Sequence, residues 1–177
     1  MSRDDSSYSI HPVSRVAEKQ LKELAEVLID CVEGGASVSF MHPVPLAKAV
    51  AFWRDVAADA QAGGRVLIVA EDASGIVGTV QVIFASSENQ PHRADVAKML
   101  VHRRARRRGI GAALMRAAED AARQAGKSLL VLDTATDEAE RLYVRCGWTL
   151  VGTVPDYALL PHGGFCATRF YYRRIAG

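Results

Sequence analysis

The chain has 177 residues, of which 49% are hydrophobic and 24% are charged. This length and composition are typical of one globular domain whose core needs no metal or disulfide. The formal net charge is +2, but five arginines fall within residues 103–108, so the rest of the chain sums to 2 − 5 = −3. Such concentrated positive charge favours a compact anionic ligand over a long nucleic acid duplex.

Hydrophobic periodicity predicts the elements of the N-terminal half. Apolar residues recur at helical spacing in two segments, each ended by a pair of glycines, and apolar runs of strand length follow. The turn Asp72-Ala-Ser-Gly75 joins two of these runs as an antiparallel hairpin. The predicted order is a short strand at 8–13, helices at 15–33 and 44–62, and strands at 65–71, 76–85 and 93–101.

The C-terminal half continues with a strand–helix–strand unit. An alanine-rich helix runs from Gly109 to near Gly126, and an apolar strand follows at 127–133. We expect this strand to lie parallel to strand 93–101, because a right-handed helical crossover joins them. A short helix at 137–146 and strands at 148–154 and 165–175 complete the chain. The expected fold class is α/β, a mixed, mostly antiparallel sheet flanked by helices, in one domain spanning 1–177.

The stretch from Val101 to Gly111 predicts a binding site for a polyphosphate. An apolar strand runs there into an arginine-rich turn and then into a helix. Gly109 and Gly111 permit a tight turn and a close backbone approach, and the first amides of the helix have no intrahelical partners. Those amides and the positive end of the helix dipole attract anions. The spacing fits neither the dinucleotide-binding glycine motif nor the phosphate loop of nucleoside triphosphatases.

Two motifs resemble those of the GCN5-related N-acetyltransferases (GNAT). Arg106-x-x-Gly109-x-Gly111 is similar to the family's Arg/Gln-x-x-Gly-x-Gly/Ala signature, and Ala139-Glu-Arg-Leu-Tyr-Val-Arg-Cys-Gly-Trp148 is similar to its later motif. The two occur in the family's order and at its spacing. The resemblance implies a GNAT fold with acetyl-CoA as the acetyl donor. The cofactor contacts it implies are Met99, Leu100, Val101, Arg106, Arg107, Arg108, Gly109, Ile110, Gly111, Ala112 and Tyr143.

Acetyl transfer to an amine requires a proton acceptor, since an aliphatic amine with a pKa near 10 is mostly protonated at neutral pH. The candidates are Asp133, at the carboxyl end of its strand, and Asp95, on the neighbouring strand. The alternative for Asp133 is a cap on the helix that follows. The alternative for Asp95 is a solvent-facing or salt-bridged carboxylate.

The resemblance also implies that Tyr143 gives its phenolic proton to the leaving thiolate; the alternative is a tyrosine packed in the core. A backbone N–H between Met99 and Val101, where the family strand carries a bulge, would stabilise the oxyanion. Alternation along this strand predicts two faces. One carries Asp95, Ala97 and Met99, and the other carries Val96, Lys98 and Leu100.

A narrower resemblance concerns the acceptor. Gly34-Gly-Ala-Ser-Val-x-Phe-Met41, Leu132-Asp-Thr134 and the Pro155-x-Tyr157 loop are similar to segments of the tabtoxin-resistance acetyltransferases, which inactivate a β-lactam amino-acid toxin. It implies a small amine acceptor that is amino-acid-like, or toxin- or antibiotic-like, attacking the thioester directly and without a cysteine relay. The residues assigned to acceptor binding are Ser37, Phe40, Asp133, Thr134 and Tyr157.

Three other functions are compared with this one. An N-acetyltransferase could act on a protein or peptide amine, and a coenzyme A-binding module could lack turnover. A nucleic acid module could use the arginine run, but no aromatic residue interrupts that run, so we expect no nucleic acid partner.

The remaining features concern redox state, metals and location. The three cysteines are far apart and the histidines show no metal spacing, so we expect free thiols and no metal site. The first 20 residues lack the apolar core of a signal peptide, and no apolar run reaches the roughly 18 residues that span a bilayer. We expect a cytoplasmic protein without membrane contact. The oligomeric state stays open, with a homodimer as one option.

Overall fold

The computed structural model describes residues 7–175, which form a seven-stranded sheet flanked by four α-helices. A short 3₁₀ turn, Arg103–Ala105, lies in the arginine-rich loop. The helices are α1 (Glu18–Glu33), α2 (Leu46–Gln61), α3 (Ile110–Gln124) and α4 (Asp137–Arg145). The strands are β1 (Ser9–Pro12), β2 (Arg65–Asp72), β3 (Gly75–Phe84), β4 (Arg93–Val101), β5 (Leu129–Thr134), β6 (Thr149–Leu159) and β7 (Phe165–Arg174).

The strands lie in the order β1-β2-β3-β4-β5-β7-β6, and β4–β5 is the parallel pair in an otherwise antiparallel sheet. The predicted fold class is therefore confirmed. The β4–β5 pairing ends at Asp95 and Val131, although β4 continues to Val101 and β5 to Thr134. The two strands thus diverge towards their carboxyl ends, and a cleft opens between them.

Two hydrophobic cores cover the two faces of the sheet. On one face α3 packs Leu114, Met115 and Ala118 against apolar side chains of the sheet. On the other face α1 and α2 cover the sheet with residues that include Leu28 and Trp53. These amphipathic helices stabilise the fold mainly by burying apolar surface.

A β-bulge lies near the end of β4. Gln81 pairs with Ala97 and Thr79 with Leu100, so two residues of β4, Lys98 and Met99, oppose one residue of β3. The backbone of Lys98 adopts a φ of 50°, in the left-handed region. Because of this bulge, the side chains after Lys98 point to the opposite face of the sheet from the one that regular alternation predicts.

The predicted alternation along β4 is wrong beyond this bulge. Val96 packs in the core under α3, whereas Leu100 packs in the core under α1 and α2. The extra residue in the bulge reverses the alternation, which a regular strand would have continued.

The outer strand β6 is longer than the predicted strand 148–154. It continues through Pro155 to Leu159 and has two register shifts. Proline is tolerated there, since an edge strand has a backbone side without ladder hydrogen bonds. Much of this edge is apolar and exposed. The exposed apolar residues of β6 are Leu150, Val151, Val154, Tyr157 and Leu159. Within residues 7–175, no helix combines the length and the apolar character that crossing a membrane requires.

Candidate active site

Two adjoining cavities lie at the cleft between β4 and β5. The larger cavity has a volume of about 500 Å³ and is lined by the loop after α1, the bulge of β4, the start of α3 and α4. The smaller cavity, of about 270 Å³, is lined by the α1–α2 loop, β6 and β7. Residues that line both cavities are Ser37, Ser39, Asp133 and Ala135. A long ligand in the larger cavity and a small ligand in the smaller cavity would therefore meet beside these four residues.

The start of α3 presents an anion-binding surface to the larger cavity. Gly109 is the N-cap residue with a φ of 77°, a conformation that glycine adopts without strain. The first hydrogen bond of the helix joins the Ala113 N–H to the Gly109 carbonyl at 3.1 Å. The N–H groups of Ile110, Gly111 and Ala112 precede it, and all three residues line the cavity. This geometry suits a pyrophosphate.

The arginine run is divided between the cavity and the rest of the protein. Arg106 and Arg107 line the larger cavity. Arg103 instead donates from Nε to Asp30 on α1 at 2.9 Å and pairs with Glu33. The positive charge of Arg103 is therefore partly neutralised away from the phosphate site. Local acidic partners neutralise part of the run.

Arg108, a predicted cofactor contact, does not line the larger cavity. Its Nη1 donates to Asp72 Oδ2 at 2.7 Å, and its guanidinium lies 6.0 Å from the centre of the Tyr8 ring. Asp72 belongs to the β2–β3 hairpin, so the pair ties the loop before α3 to that hairpin. Although burial opposes it, hydrogen bonds from Ser74 and Arg108 lower the pKa of Asp72 to about 2.

Because the ion pair of Arg108 with Asp72 stabilises the fold and lies outside the cavities, we expect Asp72→Asn to destabilise the protein by about 1–3 kcal/mol at pH 7. Its acetyl-CoA affinity should not change. The ordinary pKa of the carboxyl is about 3.9 and its folded value is lower, so this stabilisation is complete above pH 4 and is lost as the pH falls towards 2. Urea denaturation of both proteins across this pH range measures it. Asp120→Asn removes an exposed pair with Arg123 and should cost less than about 0.5 kcal/mol. Equal losses in the two variants would contradict the prediction.

The bulge of β4 lies at the larger cavity. Met99, Leu100 and Val101, the predicted cofactor contacts on this strand, all line that cavity. Cys31 of α1 also lines it and was not predicted to do so; its thiol donates to the Val101 carbonyl at 3.5 Å. Burial raises the pKa of Cys31 to about 11, which keeps this thiol protonated and unreactive at neutral pH.

Tyr143 is both a core residue and a cavity residue. Its ring packs against Trp148 and Tyr171, each with centroids 6.2 Å away, and it lines the larger cavity from α4. Burial, with a smaller contribution from the negative charge of Asp133, raises the pKa of Tyr143 well above its ordinary value. The phenol is therefore protonated at neutral pH, as a proton donor must be.

Asp133 lies where the two cavities meet. It is the second-to-last residue of β5, is exposed, and accepts a hydrogen bond from Thr168 Oγ1 at 3.1 Å. The alternative role as a helix cap is excluded, because the Thr136 side chain caps α4 by accepting from the Ala139 N–H at 3.3 Å. A carboxylate in this position can reach ligands in both cavities.

Asp95, the second candidate base, lies elsewhere. It belongs to the part of β4 that is still paired with β5, and it lines neither cavity. Its carboxylate accepts a hydrogen bond from Arg93 Nη1 at 2.6 Å, so the salt-bridged alternative describes it. Its assignment as a catalytic residue is corrected on this ground.

Most of the residues assigned to the acceptor come together. Ser37, Phe40 and Tyr157 line the smaller cavity with Asp133, whereas Thr134 lines the larger cavity. Gly34, Gly35 and Ala36, which begin the segment similar to the tabtoxin-resistance acetyltransferases, line the larger cavity as well. Leu142 also lines it, and no contact was predicted for this residue. Among the described residues, no cluster of His, Cys, Asp and Glu side chains could hold a metal ion.

Comparison with known proteins agrees with this geometry. Residues 63–150, about half of the chain, match the model of the GNAT acetyltransferase domain. That segment contains the β4 bulge, the anion-binding turn, Asp133 and Tyr143. Acetyl-CoA is the acetyl donor of this family.

Solved structures share the fold at low sequence identity. The yncA protein of Salmonella typhimurium, solved with its cofactor acetyl-CoA, is 18% identical with a TM-score of 0.79, over 97% of this chain and 95% of that one. A ribosomal-protein-alanine N-acetyltransferase from Brucella melitensis is 22% identical with a TM-score of 0.77, over 94% and 99%. A phosphinothricin acetyltransferase from Sinorhizobium meliloti, in complex with acetyl-CoA, is 18% identical with a TM-score of 0.78, over 96% and 89%. From the matched domain and the shared fold we conclude that the chain belongs to the GNAT family of N-acetyltransferases.

Proposed function

We propose that the enzyme transfers the acetyl group of acetyl-CoA to the amine of a small, amino-acid-like or toxin-like molecule. The observation that carries this proposal is the position of Asp133, which lines both cavities at their junction. A volume of about 270 Å³ in the smaller cavity is near the lower end for small-molecule sites. Two resemblances also support a small acceptor. One is to the tabtoxin-resistance acetyltransferases, and the other is to the Sinorhizobium protein, which is named for the substrate phosphinothricin.

The larger cavity supplies the groups that would hold acetyl-CoA. The amides at the start of α3, with Arg106 and Arg107, provide donors and positive charge for a pyrophosphate. The bulge of β4 offers backbone N–H groups to the thioester carbonyl. The donor supplies an activated acyl group, and the protein positions it.

The transfer needs three proton movements. Asp133 accepts a proton from the ammonium form of the acceptor, directly or through water, and the neutral amine nitrogen then forms a bond to the acetyl carbon. As the tetrahedral adduct collapses, the carbon–sulfur bond breaks and Tyr143 donates its proton to the thiolate, while the nitrogen loses its second proton through water, which restores the proton of Tyr143. Thr168 orients the Asp133 carboxylate through its hydrogen bond. This is direct attack, without a covalent acetyl-enzyme.

Contacts around the smaller cavity favour a small acceptor over a protein or peptide. The turn between β6 and β7 lies against the α1–α2 loop, where the His42 N–H donates to the Pro161 carbonyl at 3.0 Å. Nearby, His162 Nε2 lies 3.0 Å from the Glu33 carbonyl. Ser37 Oγ also donates to the Leu159 carbonyl at 3.4 Å. These contacts join the α1–α2 loop to the β6–β7 hairpin beside the smaller cavity. A peptide acceptor would need an open groove at this place, so the contacts favour a small acceptor.

The test is a panel of small amines, free amino acids and short peptides, assayed for coenzyme A release in the presence of acetyl-CoA. We expect acetylation of small amino-acid-like amines at rates well above those of peptides. Preferential acetylation of a peptide would overturn the proposed acceptor class. Binding of acetyl-CoA without turnover on any amine would favour the non-catalytic alternative.

Tyr143→Phe tests the proton donor. Coenzyme A thiol resembles free cysteine, whose pKa is about 8.5, so the leaving thiolate needs only moderate help. We expect turnover to fall roughly 10- to 1000-fold, with the KM of the amine nearly unchanged and stability altered by less than about 1 kcal/mol. Steady-state kinetics and thermal melting on one preparation measure both effects.

Tyr171→Phe is the matched control for Tyr143→Phe. The Tyr171 hydroxyl is buried and donates to Glu140 Oε1 at 2.6 Å. Its loss should lower stability by about 1–3 kcal/mol and leave the rate per folded molecule unchanged. If Tyr143→Phe behaved in the same way, Tyr143 would be a structural residue only.

The sequence left a homodimer as one option for the oligomeric state. We propose the exposed apolar edge at β6 as its contact, since long apolar edge strands tend to be covered by another chain. Light scattering at several protein concentrations decides between monomer and dimer.

A further inference from the structure

Lys98 is a charged residue of the cleft to which no role has been assigned so far. It lies in the bulge of β4 and lines the larger cavity beside Met99. Its φ of 50° is unfavourable for a residue with a side chain. Strained backbone in a ligand cavity is a reason to ask what the side chain does there.

The direct contacts of the Lys98 ammonium are with two neutral side chains. Nζ donates to Ser39 Oγ at 3.2 Å, and it lies 6.0 Å from the centre of the Phe52 ring. Among the ion pairs of the part of the chain that the structure describes, none includes Lys98. Arg103 and Arg108 differ, because each has a carboxylate partner. A half-buried cation with no carboxylate within ion-pair distance is stabilised further by an anion that enters the cavity.

The charges that face Lys98 come from both sides of the cleft. Burial lowers the pKa of Lys98; Asp133 on β5 opposes that effect, and Arg65 on β2 adds to it. Asp133 and Lys98 thus lie on the two diverging strands and line the same cavity with opposite charges. A ligand that carries both an ammonium and an anionic group matches this pair.

The pyrophosphate of the donor is not the anion that fits Lys98. The phosphate-binding surface at the start of α3 has its own amides and two arginines, whereas Lys98 lies in the bulge of β4, next to Met99. Its partner Ser39 lines both cavities, so a group at Lys98 is close to the smaller cavity. The anion is therefore expected to come from the acceptor.

We propose that Lys98 binds the carboxylate of the acceptor, so that the enzyme selects amines that also carry a carboxylate, with the amine directed to Asp133. This inference rests on the proposed function and names the chemical feature by which that site selects its substrate. Lys98 is in this view a specificity-determining residue, because it contacts the acceptor away from the reacting atoms.

The test compares L-leucine, L-glutamate and L-lysine with their α-carboxamides, using the wild-type enzyme and Lys98→Met. Wild type should prefer the acids in kcat/KM by roughly 10- to 100-fold, the range for a hydrogen bond to a charged group. Lys98→Met should raise KM for the acids by that factor, leave kcat nearly unchanged, and have little effect on the amides. Lys98→Arg should retain part of the preference.

Lys48→Met is the matched control. Lys48 lies 5.6 Å from the centre of the Phe40 ring, much as Lys98 lies near Phe52, but it is exposed and lines neither cavity. Its kinetics should equal those of wild type. The rise in melting temperature that acetyl-CoA causes shows whether each variant is folded and binds the donor.

The outcomes separate this inference from the proposed function. If wild type acetylates amides as well as acids, or if Lys98→Met lowers kcat equally for both, Lys98 does not select a carboxylate, although the enzyme still acts on small amines. If no acid, amide or simple amine is acetylated, the proposed function fails and this inference fails with it.

Discussion

Replacement of Gly111 by glutamate is expected to abolish acetyl-CoA binding, with a loss of affinity of at least about 100-fold. Gly111 is the second residue of α3 and lines the larger cavity at the anion-binding amides. A Cβ atom there would lie 3.1 Å from Leu142 Cδ2, so a longer side chain has little room between α3 and α4. Its carboxylate would also repel a phosphate. Isothermal titration calorimetry with acetyl-CoA measures the loss.

Two controls separate the phosphate site from damage to the fold. Gly111→Ala adds only the Cβ, and the flexible end of Leu142 can yield by a few tenths of an ångström, so affinity should fall little. Gly152→Glu adds the same charge on β6, where no atom lies within 4 Å of the new Cβ, and should bind acetyl-CoA like wild type. Unchanged affinity in Gly111→Glu would remove the phosphate assignment.

Asp133→Asn is expected to lower turnover by roughly 100-fold or more while acetyl-CoA binding stays nearly intact. The amide keeps the shape of the side chain and can still accept from Thr168, but it does not take a proton at neutral pH. The pH dependence of kcat/KM should change with it, because the group that accepts the proton is gone. Rapid measurement of coenzyme A release across the pH range tests this.

Asp95→Asn is the matched control on the adjacent strand. Its carboxylate pairs with Arg93 and lines neither cavity, so turnover should stay within a few-fold of wild type. If both asparagine variants showed wild-type pH–rate profiles, no carboxylate would act as the base and solvent alone would accept the proton. If Asp95→Asn alone were inactive, the assignment made from the geometry would be reversed.

The elements and the anion-binding turn could be predicted because their signals are local. The helix from Gly109, the hairpin at Asp72–Gly75 and the strand–helix–strand unit each depend on residues close in sequence. The parallel pairing of β4 with β5 followed from the short crossover alone. The predicted end of β6 was wrong. The prediction ended the strand before Pro155, but a sheet edge tolerates proline and the strand continues to Leu159.

The positions of charged side chains depended on contacts distant in sequence. Arg103 has its partners on α1 and Arg108 has its partner on the β2–β3 hairpin, some 70 and 36 residues away. The bulge at Lys98 reversed the alternation of side chains along β4. In the sequence this position is only a lysine between an alanine and a methionine, which does not predict a bulge. Spacing cannot reveal a partner that only folding brings near.

By itself, the sequence determined that a helix start with free amides follows a strand and that a tyrosine and an aspartate lie near it in the chain. Only the tertiary structure decided which carboxylate lies at the cavities, because β4 and β5 part after Asp95 and leave Asp133 where the two cavities meet. It also decided that Tyr143 is both buried and in contact with the larger cavity. The physical reason is that local propensity sets helices and strands, whereas strand divergence, bulges and long-range ion pairs are set by packing across the whole sheet.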